Sequence, residues 1–248
     1  MPIKNGDFVL ANYTCKVKES GEVVETTIES VAKEAGLKHE KEEHLYEPMF
    51  LIPGESWVPK GFDEGLAGLE AEKTVTLEVT PEKAYGTRDP SKIKLLPLRR
   101  FKKEGLDPIP GMQVDIDHKP ATIRSVGAGR VQVDFNHPLA GKTLVYDVEV
   151  EKVLETKEEK AQAIIHRRIP GVAATKFGLT LSEQAIIDVP EEAFFLEGIQ
   201  LAKRSIASDF NKFMPEFLKV SFIETFKKPQ AQAPSEPKPQ QTGTQAST

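Results

Sequence analysis

The stretch SWVPKGFDEGLAGLEA, residues 56–71, decides the fold. Phe62, Leu66 and Leu69 fall at three- and four-residue spacing, so the segment predicts a short helix with one apolar face. Pro59 suits a first helical turn, where the N–H it lacks would have no helical partner. Before the helix, residues 49–52 (MFLI) form a short apolar strand ending at Pro53-Gly54. After it, KTVTLEVT at 73–80 alternates with period two, the mark of a half-buried strand, and stops at Pro81 before a turn at AYG. Further out, residues 7–17 and EVVETT form two strands around a turn at Ser20-Gly21, and residues 144–153 alternate as one long strand. Residues 29–47 are charged and helical in composition.

Charge divides the chain. Residues 1–87 hold nine Lys/Arg against seventeen Asp/Glu; residues 88–140 hold ten against six. The second segment is broken by Pro and Gly into several short strands and predicts a small, separate β-rich unit. From residue 156 a third unit of α+β type is predicted. It has a helix at EEKAQAIIHRRIP, a strand at QAIIDVP, a long amphipathic helix over 190–213 and a final strand over 217–226. In the long helix Phe195, Ile199, Ala202, Ile206, Phe210 and Phe213 keep helical spacing, and Phe194, Phe195 and Phe213 are core candidates. Residues 227–248 are rich in Pro, Gln, Ala, Ser and Thr and predict a disordered tail.

The 248 residues carry a net charge of −5, which does not mark the whole chain as a nucleic-acid binder. No run approaches the ~18 apolar residues of a membrane span, and the start lacks a signal-peptide pattern. One cysteine, Cys15, excludes an internal disulfide framework and fits a reducing, cytoplasmic setting. There is no GxSxG, P-loop, HExxH or CxxC motif. His39, His44, His118 and His137 lack metal-ligand spacing, so no metal or cofactor is expected. Arg99, Arg100, Lys102 and Lys103 form a basic run, either a solvated face or a contact for acidic chains or ribosomal RNA. By pattern alone Tyr13, Met49, Val58, Phe62, Tyr85 and Tyr146 are core residues that could also line a pocket.

Taken in order, NYT, VVETT, PMFLIPGESWVPKGFDEGLAGL, VTLEVTPEKAYG and HPLAGKTLVYDVEV resemble an FKBP-type peptidyl-prolyl cis-trans isomerase over residues 1 to about 153. A unit set between AYG and NHPLAGK resembles the insert-in-flap (IF) domain of SlyD-like chaperone-isomerases. PEEAFFLEGIQLAKRSIASDF resembles the extra domain of long-type archaeal members. The resemblance implies an α+β fold: an antiparallel sheet wrapped on a short helix (1–87 and 137–155), an IF domain (88–136) and a C-terminal domain (156–226).

For the site, the resemblance implies an apolar pocket between sheet and helix. Tyr13 is one wall, Val58 the rim, Phe62 the floor (Trp in short members) and Tyr146 the aromatic residue of the last strand. Val24 lies beside Glu25, which stands where the family usually has Asp, and Met49 replaces an aromatic wall. Tyr85 would offer its hydroxyl to the substrate carbonyl region. The residue after Val58 usually donates a backbone N–H to the bound peptide; here it is Pro59, which has none. In the IF domain Met112, Val114, Ile116, Val131 and Val133, with Ile123 and Val126, are candidates for binding unfolded chains. The implied partners are unfolded or partly folded proteins with X-Pro bonds. A ribosome contact through the basic IF face and a homodimer through the C-terminal domain are further expectations. The competing reading is a holdase-type chaperone on this scaffold with weak or vestigial catalysis.

Overall fold

The computed structural model describes residues 2–37 and 46–226. The elements run β1 (Phe8–Val17), β2 (Val23–Thr26), α1 (Glu29–Glu34), β3 (Met49–Leu51), α2 (Lys60–Leu66), β4 (Thr74–Val79), β5 (Ile93–Pro97), α3 (Leu98–Lys103), β6 (Gln113–Ile116), β7 (Lys119–Gly127), β8 (Arg130–Asp134), β9 (Leu144–Leu154), α4 (Lys157–Arg168), β10 (Gly178–Leu181), β11 (Ala185–Val189), α5 (Ile199–Phe213) and β12 (Val220–Glu224). The fold is α+β. The tail at 227–248, residues 38–45 of the charged stretch, and His39 and His44 lie outside the described residues.

The first sheet is ordered β2-β1-β9-β4, with β3 also paired to β1. Alternation sets its inner face: Val9, Ala11, Tyr13, Cys15 and Val17 of β1 meet Leu144, Tyr146, Val148 and Val150 of β9 in one core with Phe62 and Leu66 of α2. A bulge shifts the β1–β9 register between Leu10 and Ala11, passing over Glu151. The extra residue keeps Val153 on the Val150 face and turns Leu154 to the other side. Helix α2 lies close on β4 because Gly61 and Gly65 face it; a Cβ would come 2.5 Å from Val79 and 2.6 Å from Leu77. The helix ends at Leu66, so Leu69 packs on the core from the following turn rather than from the helix.

The second sheet, β5-β8-β7-β6, belongs to the inserted segment. The basic run lies on α3, a helix absent from the sequence expectation, whose Phe101 is buried. Phe101 closes a core with Val114, Ile116, Ala121, Ile123, Val131 and Val133. This corrects the client-binding assignment: Val114, Ile116, Val131 and Val133 bury against their own unit, and Met112 is half-buried beside them. The apolar side chains that remain exposed are Leu95, Ile109 and Val126. The Asp134 carboxylate ties the two crossing strands at the root of the insert. It accepts from Arg88, from Arg124 Nε (3.0 Å) and from Asn136 Nδ2 (2.8 Å), while Asn136 Nδ2 also donates to the Asp89 carbonyl (2.9 Å).

The third sheet, β10-β11-β12, pairs antiparallel and then parallel, and α4 and α5 pack on it. The long helix expected over 190–213 begins only at Ile199, because Gly198 at φ +77° breaks the chain and 191–193 form a separate 3₁₀ turn. Phe194 is buried, Phe213 half-buried, and Phe195, which the spacing placed in the core, is 88% exposed. The final strand is shorter than expected, at 220–224, and β10 adds a strand that the sequence pattern does not signal. The core of this unit is continuous with the first: Phe8, Phe50, Ile52 and Leu154 pack into it.

Candidate functional site

Three aromatic rings meet where α2 crosses the first sheet. Cys15 pairs with Tyr146, and Tyr13 with Val148, which puts both tyrosines on the inner face. Phe62 stacks on Tyr146 at 4.5 Å and 15°, and meets Tyr13 edge-on at 5.2 Å. Phe62, Tyr146 and Tyr13 are 0%, 1% and 3% exposed, so this cluster is dry. The Tyr13 hydroxyl donates to Glu25 Oε1 at 2.8 Å. Burial, reinforced by Glu25, raises the Tyr13 pKa well above the usual phenol range, and burial beside Cys15 does the same for Tyr146. Both stay protonated donors at any physiological pH. Burial also pushes the Cys15 thiol up to about 11, which removes it as a nucleophile.

Around this floor Val24 and Val58 are half-buried and pack on the cluster, whereas Glu25, Met49 and Tyr85 are exposed. Tyr85 stacks face to face on His137 at 4.1 Å, and burial lowers the His137 pKa. Pro59 caps α2, and its carbonyl accepts the N–H groups of Phe62 (2.9 Å) and Asp63 (3.0 Å). Asp63 in turn holds the preceding loop: its carboxylate accepts from Gly54 N (3.1 Å) and Ser56 N (3.1 Å), and Ser56 sits at φ +55°. That grip sets the positions of Trp57 and Val58. The structure therefore gathers Tyr13, Phe62, Tyr146, Val24 and Val58 into one cluster. Met112, Val114, Ile116, Val131 and Val133 belong to a separate core.

Beside the aromatic floor a cavity of about 250 Å³ is lined by Tyr13, Glu25, Met49, Trp57 and, from the C-terminal unit, His166 and Arg167. Sequence reasoning missed Glu47, Trp57, Asp63, His166 and Arg167. His166 pairs with Glu47, 119 residues away, and no local spacing signals such a contact. Among the described residues no cluster of three or more His, Cys, Asp or Glu could hold a metal, and no helix is long and apolar enough to cross a membrane.

A twisted antiparallel sheet closed on a short helix, with an aromatic cluster at the crossing and a small unit inserted before the last strand, defines a class of protein, and comparison with known proteins names it. The family model for the FKBP26 IF domain matches residues 94–139, and that for the FKBP26 C-terminal region matches residues 157–227. The chain is 37% identical over 157 residues to the short-type peptidyl-prolyl cis-trans isomerase of Methanocaldococcus jannaschii, covering 63% of this chain and 98% of that one. It is 31% identical over 163 residues to the FKBP-type isomerase SlyD of Aeromonas hydrophila, covering 64% and 68%. It is 26% identical over 155 residues to the FKBP-type 16 kDa isomerase of Escherichia coli K12, covering 61% and 93%. The chain belongs to the FKBP-type peptidyl-prolyl cis-trans isomerase family, in the long form with an IF insert and a C-terminal domain.

Proposed function

We propose that the protein accelerates cis-trans isomerisation of X-Pro bonds in folding chains and holds unfolded segments through its IF domain. The observation that carries the catalytic reading is the dry Tyr13–Phe62–Tyr146 cluster at the helix–sheet crossing. Rotation about the amide faces a barrier of ~18–20 kcal/mol. The planar amide is more charge-separated than the twisted one, so an apolar surface favours the twisted form relative to water. Catalysis then needs tighter binding of that form, not a nucleophile or a metal. In this reading Phe62 and Tyr146 are the floor, Tyr13 a wall fixed by Glu25, and Val24, Val58, Met49, Pro59 and Tyr85 the rim. A peptide with an X-Pro bond should isomerise faster with the protein present, in a protease-free assay, and a macrolide should compete. A rate equal to the uncatalysed one would overturn the assignment and leave the holdase reading, which the intact floor and the isomerase relatives disfavour.

The division of labour assigns catalysis to residues 1–87 and 137–155, client capture to 88–136 and a supporting role to 156–226. The self-contained core of the insert supports the limits at 88 and 136, while the C-terminal core is shared with Phe8, Phe50, Ile52 and Leu154 of the first unit. The capture surface would use Leu95, Ile109 and Val126, which are exposed. Replacing 88–136 by a short turn should remove protection of an aggregating client while a short peptide is still turned over; equal loss on both refutes the division. Exposed Leu201, Leu218 and Phe226 support a homodimer through the C-terminal unit, testable by light scattering. The exposed basic residues around α3 support a ribosome contact, testable by salt-dependent co-sedimentation. A cytoplasmic, archaeal setting agrees with the buried single thiol and with the similarity to the M. jannaschii protein.

A further inference from the structure

Arg167, near the end of α4, places its guanidinium carbon 3.4 Å above the Trp57 ring centroid. Phe50 and Phe213 hold the same indole edge-on, at 5.5 and 5.6 Å. Trp57 directly precedes Val58 of the rim, and Arg167, Trp57, Tyr13 and Glu25 all line the 250 Å³ cavity. The other charged groups of that cavity are engaged: Glu25 by the Tyr13 hydroxyl, and Glu47 by His166. Asp209, whose field reaches Arg167, is held two-pronged by Arg168 at 2.7 and 2.9 Å. Among the described residues Arg167 therefore lines the cavity with no carboxylate bound to it. A stacked guanidinium keeps its in-plane donors for a planar acceptor and is recognised best by a carboxylate.

We propose that this cavity is a substrate subsite in which Arg167, supplied by the C-terminal unit, selects an acidic side chain close to the proline of the bound chain. The inference rests on the prolyl-isomerase reading of the adjoining floor. It gives the C-terminal unit a part in substrate choice, beyond docking beside the sheet. Arg167 is a specificity residue here, since it touches the segment next to the reacting bond and not the bond itself.

Trp57, the only tryptophan in the chain, supplies a direct readout. Two short peptides differing only by Glu or Gln two residues before the proline, and two with the change after it, would be titrated against the full-length protein. Trp57 emission reports binding, and the isomerisation rate is read separately. The Glu peptide of at least one pair should bind about five- to ten-fold tighter than its Gln partner and shift the emission, as expected for a charge-assisted hydrogen bond in a half-exposed site. Arg167→Met, which keeps an apolar stem on the indole, should abolish the preference, so that the Glu and Gln peptides bind alike. Arg167→Lys should retain part of it, and thermal melts of both variants check folding. Equal binding of Glu and Gln peptides by the wild type, or a preference that survives in Arg167→Met, overturns the proposal. If no peptide is isomerised yet the preference is present and lost in Arg167→Met, the subsite stands as a binding site and the catalytic reading fails.

Discussion

Replacing Asp63 by Ala should loosen the loop that carries Trp57 and Val58. The Asp63 carboxylate is only 7% exposed and accepts the N–H groups of Gly54 and Ser56, each at 3.1 Å. Hydrogen bonds to a charged group contribute about 1.5–3 kcal/mol apiece. The loop is half-exposed, so water would recover part of that loss, and a net cost of about 2–4 kcal/mol follows. The alternative loop path becomes attractive because Ser56 is held at φ +55°, a conformation a non-glycine residue adopts only under constraint. Urea unfolding followed by Trp57 emission reads this loop directly and avoids treating three units as one transition. The midpoint should fall, and kcat/KM on an X-Pro peptide should drop about ten-fold as the proposed rim loses its place over an intact aromatic cluster. Asp63→Asn keeps one acceptor oxygen and should fall between the two. An Asp63→Ala protein with wild-type midpoint and wild-type turnover would refute the claim that this carboxylate fixes the rim.

Pro59→Val restores an N–H at a backbone geometry (φ −51°, ψ 139°) that valine can adopt. Peptide affinity should rise about two- to ten-fold in a binding titration, and an unchanged Kd counts against a missing donor at this position. Cys15, with its thiol pushed up to about 11 and 1% exposed, should react with a disulfide reagent at pH 8 only after denaturation. Rapid reaction in the folded protein would show that the inner face opens. At the start of α4, Glu159 closes a capping box with Thr156 and pairs with Lys152, and its pKa is depressed to about 2 from 4.5. A depressed carboxylate contributes stability above the unfolded pKa and loses it as pH falls through the folded one. Glu159→Gln should therefore lower the melting temperature at pH 7, and the gap to wild type should narrow between pH 4.5 and 2.

The sequence carried the inner face of the first sheet chiefly because β9 alternates from Leu144 to Val150, and burial on one side is what alternation encodes; β1 alternates less regularly, with Thr14 buried beside Tyr13 and Cys15. It failed in the insert for a single physical reason. LRRFKK, flanked by Pro97 and Gly105, has too few apolar residues to signal a helix, so Phe101 was not available as a partner. Without that partner the apolar strand residues look surplus; with it they are a core, and Val114, Ile116, Val131 and Val133 have no face left for a client. The start of α5 was misplaced for a related reason. Phe194 and Phe195 extend the three-to-four spacing, yet the left-handed Gly198 cuts the helix, and Phe195 ends exposed.

The aromatic floor followed from family resemblance, because its residues lie in segments whose motifs are contiguous. The cavity beside it could not follow in that way. Its second wall comes from α4, which by pattern is only an amphipathic helix stopped by Pro170-Gly171, and its contacts join positions more than a hundred residues apart. Trp57 shows why this matters for function. One face stacks on Arg167 of the C-terminal unit, its edges meet Phe50 of the sheet and Phe213 of α5, and its backbone leads into Val58 and the cap of α2. Any shift of the C-terminal unit against the sheet must move this ring, and with it the rim of the proposed pocket. The shared core at Phe8, Phe50, Ile52 and Leu154 resists that shift, so the rim is held from two directions, by Asp63 from the helix and by α4 from outside. On this argument the C-terminal unit is part of the site's geometry, and its removal should cost peptide binding even where the sheet and α2 stay folded.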